Sequence, residues 1–401
     1  MAELAKPGGG RVARNIHKFA TRDSALRAAL TRLRKLSHPP TSREKDELAS
    51  APTLLPCEEA PNCAPVFWQR IFGGDAFLLA LSATAKVFFI GLAGYVLVAR
   101  GVLKSEALAA FSSLVANLTL PCLILQRFSQ GFDPHVFPLW WVLVVAGAAL
   151  QVLQIALGWV LSRRLSQEQG RGEMVMLLGF QNSGFFVLPM LQGLLPSPEF
   201  GRAAVFCFLF IIFFNASFWP VGTRVLLGER GFDWKRALLA PPTIVTIVAL
   251  VFFGIFHDFS HGFSHTFTWQ VIFGGQSSGV LGLLGDLTTP LATLVLGGTV
   301  GQTAARGWAG FSNKGVALEV CFWKLVAFPL VGLALIHFFP VLFADRSLRL
   351  MIMLQFAAPV AMNVPIFFQQ YGLPMRLTPA VCLACYALCL LSVPLWVALV
   401  L

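Results

Sequence analysis

The sequence GFQNSGFFVLP at residues 179–189 interrupts an apolar segment that is long enough to cross a bilayer. It combines glycines, a proline and side-chain amides, which favour turns and helix ends over helix interiors. In hydrocarbon, each backbone N–H or C=O group without a partner costs several kilocalories per mole. Two interpretations remain open: a kinked membrane helix with a structural asparagine, or a discontinuous helix whose free ends form a solute site near the bilayer midplane.

A second interruption, AAPVAMNVP at residues 357–365, favours the discontinuous helix. Proline cannot donate a backbone hydrogen bond, so Pro189 and Pro365 are assigned to breaking their helices. Pro121 and Pro290 stand in similar surroundings in two other spans, LTLPCLIL and LTTPLATL, and are further candidates for helix breaks. The offset from Pro121 to Pro290 is nearly the same as that from Pro189 to Pro365. The sequence therefore predicts an internal repeat.

The composition indicates a polytopic membrane protein, because 56% of the residues are hydrophobic and only 12% are charged. A soluble protein has roughly 25% charged residues. The formal net charge of +11 comes from basic residues in short loops and in the N-terminal tail. Basic loops set the orientation of a membrane protein. No basic patch alternates with aromatic residues, so we do not expect nucleic acid as a partner.

Ten candidate spans follow the tail, and they divide into five and five. Their bounds are approximately 76–99, 106–126, 136–161, 173–193, 202–226, 237–256, 279–301, 316–341, 348–369 and 378–400. An odd number of spans in each repeat gives the two halves opposite orientations in the membrane. We predict an all-α membrane protein with ten transmembrane helices, arranged as two inverted five-helix repeats with broken, crossing fourth and ninth helices. The predicted regions are a basic, largely disordered tail at 1–65, a first repeat at 66–229 and a second at 230–401.

The distribution of basic residues predicts the orientation. Most loop lysines and arginines lie on one side, and Arg127, Arg202, Arg346 and Arg349 lie on the other. The richer side is assigned to the cytosol, which leaves both termini outside it. The expected location is either the plasma membrane or the endoplasmic reticulum, and the sequence does not distinguish between them.

The sequence resembles the auxin efflux carrier family, which includes the PIN and PIN-likes carriers. The resemblance rests on four passages: GY with RGVL at 94–103, SLVAN and LPCLI at 113–124; Asn182 with Pro189; PL with GG, KL and Pro329 at 290–329; and NVP with QYG at 363–372. It implies a ten-helix fold like that of the bile acid symporters, with a crossover of broken helices. It also implies elevator-like transport of a small organic anion.

The candidate substrate-binding residues lie at the breaks. The N-terminal end of a half-helix presents unpaired N–H groups and a partial positive charge, which attract a carboxylate. Asn182 and Asn363 can donate amide hydrogens to that carboxylate or hold the unwound backbone, with Gln181 and Ser183 as further candidates. Asn117 faces either the cavity or a neighbouring helix.

Lys324 is the remaining substrate-binding candidate, because intramembrane charges are usually functional. It attracts an anion, pairs with Glu319 or extends to the membrane surface. The breaks contain no Asp or Glu, which disfavours coupling to a cation there. The sequence contains no convincing catalytic set, phosphate loop or metal site, so we expect no enzyme activity and no cofactor.

These observations predict a secondary transporter, either an efflux carrier or a uniporter, for a small organic anion such as an auxin-like compound, working by elevator-type alternating access. The alternatives are a non-transporting membrane receptor or scaffold with the same fold, and an ion-coupled symporter of the bile-acid type. The expected partners are the solute and the lipid bilayer, and assembly as a homodimer is left open.

Overall fold

The computed structural model describes residues 75–166, 169–228, 241–255, 266–274, 279–305 and 314–401. Within these ranges the chain is helical, and its single β-bridge joins two residues outside the helices. The predicted N-terminal tail at 1–65 lies outside the described residues.

Seventeen helices are described, numbered here in chain order. Their bounds are α1 Asp75–Ala99, α2 Ser105–Leu114, α3 Leu120–Gly131, α4 Trp140–Ser162, α5 Arg171–Gly179, α6 Val187–Leu194, α7 Ser197–Phe210, α8 Ile212–Leu227, α9 Pro241–Ile255, α10 Phe267–Phe273, α11 Val280–Asp286, α12 Thr288–Ala305, α13 Lys314–Phe322, α14 Phe328–Phe338, α15 Arg346–Ala357, α16 Asn363–Gln370 and α17 Thr378–Ala398. A turn of π-helix joins α2 to α3 (Val115–Thr119) and α13 to α14 (Trp323–Ala327).

Seven helical segments of the described chain are long and apolar enough to cross a membrane, so this is an integral membrane protein. Three of the ten predicted spans are not among these seven long segments. The span predicted at 237–256 is represented by the shorter helix α9, of which residues 241–254 are apolar. The spans predicted at 173–193 and 348–369 are each split into two short helices.

Both splits precede a proline. Residues 180–186 separate α5 from α6, and residues 358–362 separate α15 from α16. Pro189 is the third residue of α6, and Pro365 is the third residue of α16. The first turn of a helix tolerates proline because its N–H groups have no partner within the helix. Each second half-helix therefore begins shortly before its proline and ends the unwound stretch.

The other two candidate break prolines have milder effects. Pro290 is the third residue of α12, which a single turn residue, Leu287, separates from α11. Pro121 lies in a segment that stays helical from Ser105 to Gly131. There the π turn before α3 lets the amide of Leu120 bond to the carbonyl of Val115, one residue further back than in an α-helix. The prediction that Pro121 breaks its helix is therefore wrong, because the wider turn accommodates the ring.

Glycines allow the closest helix contacts. A Cβ atom on Gly297 of α12 would lie 1.7 Å from the carbonyl oxygen of Gly91 on α1. A Cβ on Gly147 of α4 would lie 1.9 Å from the carbonyl oxygen of Phe210 on α7. Only glycine permits such approaches, which is the usual device for packing helices in lipid. The buried core centres on α5, α6, α7 and α15, and so surrounds both helix breaks.

Candidate solute site at the crossed helix breaks

The two unwound stretches meet each other directly. Gln181 and Val360 form an antiparallel bridge. The amide of Asn182 donates to the carbonyl of Pro359 at 2.8 Å, and the amide of Ala361 donates to the carbonyl of Phe180 at 3.1 Å. Residues far apart in sequence thus satisfy each other's backbone groups, which is what an interruption inside hydrocarbon requires. We call this contact the crossover (residues 180–186 and 358–362).

Tyr386 of α17 joins the two unwound stretches of the crossover by hydrogen bonds. The Asn182 amide Nδ2 donates to the Tyr386 hydroxyl at 2.7 Å, and that hydroxyl donates to the carbonyl of Val360 at 2.9 Å. One side-chain donor of Asn182 is therefore engaged in holding the backbone. The sequence reasoning missed Tyr386, although a tyrosine within an apolar span needs a hydrogen-bond partner and is in itself a signal.

A cavity of about 210 Å³ lies against one side of the crossover. Its lining combines polar groups of the breaks with aromatic rings: Ser112, Ala116, Leu120, Asn182, Ser183, Gly184, Phe185, Ile211, Phe214, Asn215, Phe218, Trp219, Pro241, Pro242, Ala361, Met362, Asn363 and Ile366. None of these residues is charged. The volume is below the roughly 300–1,000 Å³ of pockets for drug-sized ligands, which favours a small solute.

Two asparagines around this cavity have unengaged side chains. Asn363 is the first residue of α16, and Asn215 lies near the start of α8. Neither side-chain amide is hydrogen-bonded to another residue within the described ranges, so both can bind a solute. The structure thus brings Asn182, Ser183 and Asn363 together as the sequence suggested and adds Asn215. The sequence signal for Asn215 is an amide within a long apolar helix.

The structure places Asn117 away from the cavity. Its side chain is exposed on the outer surface, where Nδ2 donates to the carbonyl of Ser113 at 2.8 Å. The π turn that contains Asn117 turns Ala116 and Leu120 toward the cavity instead. The sequence allowed Asn117 to face the cavity or a neighbouring helix, and the structure shows neither.

Gln181 belongs to the crossover, but neither it nor Lys324 lines the cavity. The side of the crossover on which both side chains bond to Gln154 is described here as behind it. The Lys324 ammonium donates to Gln154 Oε1 at 3.3 Å, and the Gln154 amide donates to Gln181 Oε1. The predicted pairing of Lys324 with Glu319 is not observed, because Glu319 forms an ion pair with Arg164. The side chain of Lys324 is fully buried, so it does not extend to the membrane surface either.

Gln355 completes the polar chain behind the crossover. Gln181 Nε2 donates to Gln355 Oε1 at 3.3 Å. Gln355 Nε2 lies 3.2 Å from the carbonyl oxygen of Ser183 and 3.3 Å from the sulfur of Cys207. Lys324, Gln154, Gln181 and Gln355 therefore form one hydrogen-bonded series, called here the amide chain. The sequence reasoning missed Gln154 and Gln355, although a glutamine within an apolar span is a signal in itself.

Comparison with known proteins identifies the family of this chain. A family model described as "Membrane transport protein" matches residues 79–231 and 229–397, which is most of the chain. This chain belongs to that family of PIN-type and PIN-like membrane transport proteins.

Two curated relatives carry PIN-LIKES names. The chain is 27% identical over 189 residues to Protein PIN-LIKES 5 of Arabidopsis thaliana, which covers 45% of this chain and 43% of that protein. It is 28% identical over 179 residues to Protein PIN-LIKES 7 of the same plant, covering 44% and 43% respectively. The chain thus matches less than half the length of each relative.

Proposed function

We propose that this membrane transport protein is a secondary carrier, an efflux carrier or uniporter, that moves a small organic anion by alternating access. The observation that carries the proposal is the crossover beside a cavity lined by Asn215 and Asn363, whose amides have no hydrogen-bond partner among the described residues. The second half-helices α6 and α16 begin at the crossover and direct their positive ends toward it. Together these groups can bind a carboxylate without a buried cation in the cavity.

The aromatic part of the cavity supports an auxin-like solute. Phe214, Phe218 and Trp219 line it together with the amides. A flat aromatic acid can place its ring against these side chains and its carboxylate against the amide groups. The uncharged lining fits a solute that brings its own charge.

We further propose ten crossings in two inverted repeats. Seven long segments, the shorter helix α9 and the two interrupted segments provide ten candidates. Packing supports the repeat. In the proposed repeat α9 corresponds to α1, and α12 corresponds to α3. The contact between α1 and α12 is matched by the contact between α9 and α3. Similarly, α4 packs on α5, and α14 packs on α15. The two halves therefore have matching neighbours.

Elevator-type movement is the proposed mechanism. One group of helices, α1 to α3, α9, α11 and α12, would serve as a static frame, and the helices that carry the crossover would move against it. The cavity is lined from both groups: Ala116 and Pro241 come from the frame, and Asn182 and Asn363 come from the moving part. Pro241 begins α9, on the side that the basic loops assign to the cytosol, so we interpret this conformation as inward-facing.

Transport of labelled indole-3-acetate and other organic acids into proteoliposomes tests the proposal. A hydrogen bond to a charged group contributes roughly 1.5–3 kcal/mol, and about 1.4 kcal/mol corresponds to a factor of ten. We expect Asn363→Ala to raise KM about tenfold or more, and Asn117→Ala, the surface control, to leave it unchanged. Saturable binding without flux would instead indicate a receptor or scaffold. Flux that requires a sodium or proton gradient would indicate a coupled symporter.

A further inference from the structure

Lys324 is a fully buried lysine that lacks an acidic partner among the described residues. Its ammonium contacts Gln154 and lies 5.4 Å from the centre of the Phe328 ring. Burying a cation is costly unless hydrogen bonds or charges compensate for the lost water. A lysine kept in such a place without a carboxylate needs an explanation, and the solute cavity does not provide it directly, because Lys324 is not part of the lining.

The backbone holds Lys324 firmly in position. Lys324 is the second residue of the π turn between α13 and α14. Pro329 has no N–H group, so the carbonyl of Leu325, four residues earlier, loses its usual helical partner. Trp396 Nε1 donates to that carbonyl at 2.8 Å and Ser392 Oγ at 2.9 Å. Two side chains of α17 thus fix the turn from which the lysine extends.

The chemistry of the ammonium sets the direction of the amide chain. An ammonium group only donates hydrogen bonds, so Gln154 must present its oxygen to Lys324. The NH₂ group of Gln154 then faces Gln181 Oε1, and the NH₂ group of Gln181 faces Gln355 Oε1. Because each amide has one oxygen and one NH₂ group, fixing the first member fixes the rest.

The far end of the chain acts on the crossover backbone. Gln355 ends the chain by donating to the carbonyl oxygen of Ser183. This oxygen also accepts a hydrogen bond from the Cys207 thiol at 3.5 Å. Ser183 lines the cavity, whereas Gln355 and Cys207 do not. The chain therefore holds the negative end of this peptide group on the side away from the solute.

From this arrangement we infer that Lys324 is a positioning residue that makes the site select anions over neutral analogues by directing the amide chain. The ammonium keeps every NH₂ group pointing along the chain toward the Ser183 carbonyl, and the aligned dipoles add positive potential there. Without it the glutamines are free to reverse and release the Ser183 carbonyl, whose oxygen repels a carboxylate. The inference rests on the proposed function, because it concerns the same solute site.

The test compares an anion with its neutral analogue. The probes are indole-3-acetate and indole-3-acetamide, and the readouts are binding affinity and the kcat and KM of flux in proteoliposomes. Lys324→Met retains an unbranched side chain one atom shorter and removes the donor, whereas Gln154→Leu interrupts the chain and leaves the lysine in place. We expect each variant to reduce the preference for the anion about tenfold, mainly through KM. The double variant should reduce it no further, since both act through one chain.

Matched controls separate this role from a structural one. Gln151 lies one turn from Gln154 on α4 but donates to the carbonyl of Gly179 outside the chain, so Gln151→Leu should retain the preference. Gln355→Leu, at the opposite end of the chain from the lysine, should lose the preference for the anion. It replaces Lys324→Met in the test if that variant does not fold. Equal losses for both probes, or an unchanged ratio in Gln154→Leu and Gln355→Leu, would overturn the inference while leaving transport intact. A wild-type protein that binds neither probe would instead refute the proposed function.

Discussion

Glu173 offers the most direct test of how the two halves of the chain are joined. It lies in the first turn of α5 and is only 3% exposed. Its carboxylate accepts hydrogen bonds from the backbone amides of Arg376 at 2.7 Å and of Leu377 and Thr378 at 2.8 Å. The Thr378 hydroxyl adds a fourth bond at 2.8 Å. A residue of one half thus caps the N-terminus of α17 in the other.

The expected cost of Glu173→Gln follows from these four bonds. The amide retains one acceptor oxygen but directs an NH₂ group at donors, so at least one bond is lost and the charge disappears from all of them. A hydrogen bond to a charged group contributes roughly 1.5–3 kcal/mol, and a charge at a helix N-terminus contributes about 0.3–1 kcal/mol. We therefore expect the free energy of unfolding to fall by about 2–4 kcal/mol.

Denaturant unfolding of the purified protein in detergent, followed by tryptophan fluorescence, measures this change. Glu106→Gln is the matched control, because Glu106 also lies in the first turn of a helix but is exposed. We expect that control to stay within about 0.5 kcal/mol of the wild type. If both variants unfold at the same denaturant concentration, the carboxylate does not stabilise α17 and the reasoning from its hydrogen bonds is refuted.

Two further predictions concern packing and the solute site. Gly297→Ala should lower the thermal unfolding temperature markedly or prevent folding, because its Cβ would collide with the backbone of Gly91. Gly315→Ala should fold normally, because no described atom outside its own helix lies within 4 Å of the added carbon. Asn215→Ala should raise KM for the solute about tenfold while leaving the unfolding temperature unchanged, since its amide lines the cavity and has no hydrogen-bond partner among the described residues. An equal KM effect in Asn117→Ala would show that the cavity is not the binding site.

The helix breaks could be predicted from the sequence because their signals are local. Proline near a glycine-rich or amide-rich stretch disfavours a helix whatever surrounds it. The same signal did not distinguish Pro189, which follows a seven-residue break, from Pro121, which the chain accommodates within a continuous span. The difference depends on a π turn, and that turn depends on packing by neighbouring helices.

The composition of the site was only partly predictable. Asn182, Ser183 and Asn363 belong to the breaks, so locating the breaks located them. Asn215 lines the cavity and Tyr386 bonds to the crossover, both from other helices, and no spacing within one segment indicates this. Asn117 shows the converse problem, because its register on the helix surface depends on the wider π turn in which it lies.

The amides around the crossover divide into bonded and free groups, and this division has a functional consequence. Behind it, Gln181 and Gln355 bond to one another and to the backbone, so these amides are engaged. In front of it, Asn215 and Asn363 have no partner within the described chain. Free amides lining an apolar span are unfavourable unless water or a solute satisfies them. Under the proposed function, a solute would replace water at groups that are already positioned, which would limit the entropy lost on binding.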